Sequence, residues 1–123
     1  MPYDDAPETP ISREDAVAGV RAYIAERRSA GVMMAEAFTS IELIEGVLTT
    51  TWNEDAVGKE KSEVLLELNP FENLATFIGT PLAFENEQGR QIRQHVHAVS
   101  VVGPFGVGTL TTQEIYQRAT GLP

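Results

Sequence analysis

Two periodicities of apolar residues alternate along this chain, and the points where one gives way to the other mark its elements. Over residues 13–29, Ala16, Val17, Val20, Tyr23 and Ile24 recur at three- and four-residue spacing. That spacing predicts an amphipathic helix. Ser12 stands where it can accept from the backbone N–H of Asp15, with Glu14 and Asp15 at the positive end of the helix dipole. Ile11 is placed for a hydrophobic staple on Ala16, and Gly31 stops the helix. Arg27 and Arg28 complement the negative end of the dipole. Residues 32–37 fit a helix or a strand, with Met33 and Met34 filling gaps in a core.

From residue 38 the period drops to two. FTSIELI and VLTTTWN flank Glu45-Gly46 and read as a β-hairpin. Residues 53–61 form a polar connection. Residues 62–68 alternate, with Val64, Leu66 and Leu68 inward and Glu63 and Glu67 outward, which predicts a strand. Asn69-Pro70 ends it. Leu74, Phe77 and Ile78 then make the apolar side of a short helix that stops at Gly79.

The stretch 82–102, LAFENEQGRQIRQHVHAVSVV, reads as a second hairpin. Glu87, Gln88 and Gly89 suit a three-residue turn with glycine in the left-handed place. Asn86 then pairs with Arg90 and Phe84 with Ile92. A helix competes here, because Ile92, Val96 and Val99 also sit at helical spacing. The strand is preferred for the β-branched run and the abrupt stop at Gly103-Pro104. GPFGVG follows as a loop or bulged strand; its glycine spacing is not the dinucleotide fingerprint. Thr111 and Glu114 form a capping box for a last helix with Ile115, Tyr116 and Ala119, ended by Gly121.

The expected fold is therefore α+β: an antiparallel sheet of about five strands with an N-terminal helix and two short helices, in the order α-β-β-β-α-β-β-α. Residues 1–10 hold three prolines and three acids and suggest a flexible arm, with 11–123 as one domain. The arm 90–102 outruns its partner 82–86, and the surplus could pair with a second copy, which suggests a homodimer. This order of elements is similar to that of small acidic secretion-chaperone-like folds. The likeness is of layout alone; no motif contributes to it, and layout does not imply function.

Charge and composition narrow the function. The net charge is −9, which repels phosphate backbones and anionic lipid, so neither nucleic acid nor membrane is an expected partner. A protein partner with a basic surface would suit an acidic rim. The absence of cysteine excludes disulfides, thiol chemistry and cysteine-ligated metals, and agrees with a cytoplasmic location. No signal peptide and no spanning apolar run is evident.

His95 and His97 are the candidate chemistry. On a strand they would project from one face about 7 Å apart. That could serve a metal, given a third ligand from Glu42, Glu63 or Glu67, or general acid–base work beside a carboxylate. More often two such histidines do neither, and no metal or other cofactor is expected. There is no GxSxG elbow and no HExxH motif. The leading expectation is a small acidic protein-interaction or accessory module, chaperone-like in layout. The alternative is a small-molecule-binding roll or small enzyme, its pocket between sheet and helices lined by Tyr23, Trp52, Phe77 and Phe84, with His95 or His97 as the polar groups.

Overall fold

A computed structural model of the chain describes residues 6–104 and 106–121. The first half of the expected arm 1–10 (residues 1–5), Phe105 of the GPFGVG stretch and the last two residues lie outside them. The elements run α1 (Arg13–Ser29), α2 (Met33–Ala37), β1 (Phe38–Ile44), β2 (Val47–Trp52), α3 (Glu54–Val57), α4 (Lys59–Leu68), α5 (Phe71–Ile78), a 3-10 turn (Thr80–Ala83), α6 (Glu87–Arg93), β3 (Ala98–Gly103), β4 (Gly106–Thr111) and α7 (Thr112–Thr120). The fold is α+β, but the sheet has four strands rather than about five and is mixed rather than antiparallel, in spatial order β1-β2-β3-β4. β1/β2 and β3/β4 are antiparallel hairpins, and β2 pairs with β3 in parallel. Parallel neighbours need a long crossover, here the helical stretch from α3 to α6.

Several local signals form as the pattern dictates. α1 spans the expected residues, and the Ser12 hydroxyl accepts from the Asp15 N–H. The first hairpin turns at Glu45 (φ 50°) and Gly46 (φ 82°), the pair of positive φ values that matches the twist of the strands it joins. α5 presents Leu74 and Ile78 to the core. α7 opens on the full Thr111–Glu114 capping box and ends at Gly121 in the left-handed conformation. Residues 33–37 resolve as a short helix.

Two of the expected elements do not form, and the connection 53–61 holds α3 and the start of α4. Residues 62–68 are not a strand but part of α4, where Ser62 is buried and Leu65 and Leu66 half-buried, a three- and four-residue spacing. Val64 and Leu68, expected inward, are 55% and 71% exposed. Residues 82–102 are not a hairpin either. Asn86 caps α6 by accepting from the Gly89 N–H. Glu87 lies at the helix start and Arg90 and Arg93 at its end, as the dipole favours. Gly89 is helical, and glycine is needed there for a different reason: a Cβ would stand 2.0 Å from the Phe84 carbonyl oxygen. The guanidinium of Arg93, itself buried, donates to the Leu82 and Phe84 carbonyls and holds the preceding turn against the helix. With no hairpin there is no surplus arm, so the premise for a homodimer goes. The layout likeness to secretion chaperones goes with the order on which it rested.

The buried side chains of the sheet, all but Ser100, fall on one face: Phe38, Ile41, Leu48, Thr50, Trp52, Val99, Val101 and Leu110. α1 and α5 complete the core on that side with Ala16, Val20, Ile24, Leu74 and Ile78. Phe71 of α5 occupies the place of a side chain at Gly108, where a Cβ would come within 2.1 Å of its ring. Two layers result, with the helices on one side of the sheet.

Candidate functional site

The two histidines do not share a strand face. His95 lies in the turn after α6, half-buried, and its Nε2 is 2.6 Å from the Ile11 carbonyl, so this nitrogen carries the proton and donates. His97 is exposed, one residue before β3. Its backbone N–H donates to the Gly46 carbonyl and its own carbonyl accepts from Thr112. Its ring covers Gly46, where a Cβ would lie 2.6 Å from Cδ2. One imidazole therefore holds the N-terminal segment and the other seals the first hairpin turn. Among the described residues no group of three or more His, Asp or Glu side chains could hold a metal ion.

His95 belongs to a ladder that the strand reading hid. Glu87, Gln91 and His95 stand four residues apart along α6 and its exit. The Glu87 carboxylate accepts from the N–H groups of Glu8 and Thr9, at 3.0 and 2.7 Å. Gln91 donates to the Thr9 carbonyl and His95 to that of Ile11. These bonds, first that from Thr9 and then that from Glu8, hold the Glu87 carboxyl below its ordinary pKa, with a smaller contribution from Arg90. The signal in the sequence was the four-residue spacing of three polar side chains.

The four candidate aromatics do come together. Tyr23 lies 6.1 Å from both Phe77 and Phe84 between ring centroids, and Phe38 bridges Phe77 to Trp52. They pack on one another. Trp52 is 4% exposed and its indole N–H donates to the buried Ser62 hydroxyl at 2.8 Å. Surface grooves of about 310 to 530 Å³ lie among the described residues; of the candidate aromatics and histidines only Phe77 borders one of these, and Glu42 borders two.

The larger feature is the other side of the sheet. Cross-strand register sets three rows there: Ile44, Val47, Ala98 and Thr111; then Glu42, Thr49, Ser100 and Thr109; then Thr51, Val102 and Val107. Glu42 is the one charged side chain in these rows. Ile44 is 51% and Val107 68% exposed, Thr49, Ala98 and Val102 are half-buried, and Ser100 in the middle row is buried. The Thr109 hydroxyl donates to that of Ser100 across the strands. The surface is thus short, branched and nearly uncharged on a chain of net charge −9.

The sheet's two edges differ. In a hairpin closed by Ile44 and Val47, the N–H and C=O groups of Ile41 and Leu43 point away from β2. Arginines of α1 meet those carbonyls: Arg21 donates twice to Ile41 and Arg13 once to Leu43. Further along, Arg28 donates to Ala35 and Phe38. Residues 13, 21 and 28 recur every two turns, so one side of α1 guards this edge. At the β4 edge the Thr111 N–H is taken by the Glu114 carboxylate, and among the described residues no side chain reaches the outward backbone of Val107 or Thr109.

No helix among the described residues is long and apolar enough to cross a membrane. Comparison of the chain with protein-family models, with curated proteins and with solved structures finds no match.

Proposed function

We propose that this protein is an interaction module that receives a protein partner on the open face of its sheet. One observation carries the reading: the helices occupy one side of the sheet, and the opposite side offers three rows of short side chains with a single charge, on an otherwise acidic chain. A flat, weakly charged surface loses little on desolvation, and its rim steers the encounter. Glu42 on that surface and Glu45 in the adjacent turn are exposed acids, so the favoured partner carries basic residues around an apolar centre. The small-molecule alternative calls for His95 or His97 in a hollow beside Tyr23, Trp52, Phe77 and Phe84, whereas the His95 ring is spent on the Ile11 carbonyl and the His97 ring on covering Gly46.

Site-specific photo-crosslinking in the native host tests the proposal. A crosslinker at Thr49, in the middle row, should yield a discrete protein adduct. The same group at Ala18, exposed on α1, should not. Equal, diffuse labelling from both positions would refute it.

A further inference from the structure

Each edge of a β-sheet presents unpaired backbone donors and acceptors, and proteins commonly cover or charge such edges. Here one edge is guarded by arginines and the other is not. Strands β3 and β4 pair without irregularity from Gly103↔Gly106 to Ala98↔Thr111. The closing pair exchanges both of its hydrogen bonds, so every second residue of β4 turns its N–H and C=O outward: Val107, Thr109 and Thr111. The Glu114 carboxylate reaches the Thr111 N–H, which agrees with that parity. At Val107 and Thr109 four backbone groups remain on offer, and β4 (GVGTLT) has no charged side chain to repel an added strand.

A cleft of about 530 Å³ adjoins this edge. Thr109 and Leu110 line it from β4, Phe71 and Glu72 from α5, and Glu114 and Arg118 from α7, with Gln117 beside them. The Arg118 guanidinium is directed elsewhere, donating to Thr76 and Asn73. Arg118 keeps its charge at the cleft wall, so the two carboxylates of Glu72 and Glu114 against one guanidinium leave the lining net acidic by one charge, which favours a cation.

We propose that the β4 edge accepts an extended peptide as a fifth strand, with a lysine or arginine side chain turned into the cleft toward Glu72 and Glu114. Main-chain bonds to Val107 and Thr109 supply affinity, and the alternate side chains supply selectivity. β-Branched residues on the peptide's other face would pack beside Val107 and extend the open face by one strand. The inference shares with the proposed function only the premise that the chain binds protein, since it concerns a different surface.

The test uses the full chain, isotope-labelled, and a pool of end-blocked heptapeptides of alternating β-branched residues with a fixed central lysine. Amide resonances of Val107 and Thr109 should move on titration and their hydrogen exchange should slow. A pool with glutamate at the centre should bind roughly fivefold more weakly or worse, the effect of trading attraction for repulsion at a partly exposed site. Thr109→Pro removes one outward N–H at a position where an edge strand tolerates proline. It should keep the fold and weaken binding about tenfold or more. Glu72→Gln, which keeps the side chain's shape, should narrow the difference between the two pools. The inference is overturned if neither amide responds at millimolar peptide, if the two pools bind alike, or if Thr109→Pro binds as well as the parent. It is overturned equally if the shifts fall on Thr49 and Val102 instead, which would favour the open face, or if the β4 amides are protected by concentrating the protein alone, which would make a second copy the occupant.

Discussion

Replacing Ser62 by alanine should weaken the fold measurably, although the change removes one oxygen from a helix that mostly faces water. Ser62 is 1% exposed and is the one fully buried residue of α4. Its hydroxyl accepts the indole N–H of Trp52, 4% exposed, at 2.8 Å. Alanine would leave that N–H in the core without a partner, which costs about 1–3 kcal/mol. Alanine's better helix propensity returns roughly 0.5 kcal/mol. The net loss should be about 1–2 kcal/mol. With a urea m-value of about 1.5 kcal/mol per molar, the unfolding midpoint falls by about 1 M. Trp52 is the only tryptophan, so its fluorescence reports both the transition and its own surroundings. Trp52→Phe paired with Ser62→Ala closes a double-mutant cycle. Once the N–H is gone, losing the hydroxyl should cost almost nothing further, so the two changes should couple by about 1 kcal/mol. A midpoint within about 0.2 M of the parent, or strict additivity in the cycle, would refute the idea that this bond ties α4 to the sheet.

Gly89→Ala raises helix propensity by about 1 kcal/mol, yet it sets a Cβ 2.0 Å from the Phe84 carbonyl oxygen; thermal unfolding should show a net loss of more than about 2 kcal/mol, and any gain would contradict the packing described. Gly46→Ala combines φ 82° with a Cβ 2.6 Å from His97 Cδ2, and should cost about 1–3 kcal/mol by denaturant titration, of which His97→Ala in the same chain restores the part due to the clash but not the part due to the backbone. The Glu87 carboxyl is depressed by the Thr9 and Glu8 amides, so its contribution is intact above the unfolded value of about 4.3 and lost as pH falls through the lower folded pKa. The Thr9 amide resonance should titrate with a midpoint below about 4.3 and stop titrating in Glu87→Gln; a midpoint above that value would disprove the contact.

Signals confined to a few neighbouring residues were legible without a structure. Ser12 and the spacing of Ala16, Val20 and Ile24 bounded α1 at both ends. Glu45-Gly46 placed the first hairpin, Gly79 closed α5, and Thr111 with Glu114 opened α7. In each, the group that caps or turns the backbone lies within one turn of what it satisfies, so the order of residues determines the outcome. The misread stretches lacked that property. Val64, Leu66 and Leu68 alternate by coincidence, and the Trp52 indole on Ser62, with Leu65 and Leu66 packed against the core, selects the helix and its orientation. Gly89 suited a turn equally well, and its true requirement is a carbonyl five residues earlier that folds back against it. The same holds for function. His95 and His97 invite a common role when they are two letters apart, but an Ile11 carbonyl and a glycine turn from distant parts of the chain divide them. Residue order alone set where several helices and one hairpin begin and end, because their satisfaction is local. Which side of the sheet is left open, that β2 lies parallel to β3, and that one edge is guarded and the other bare were decided only when segments 20 or more residues apart met, because burial and backbone pairing there depend on partners that no local pattern specifies.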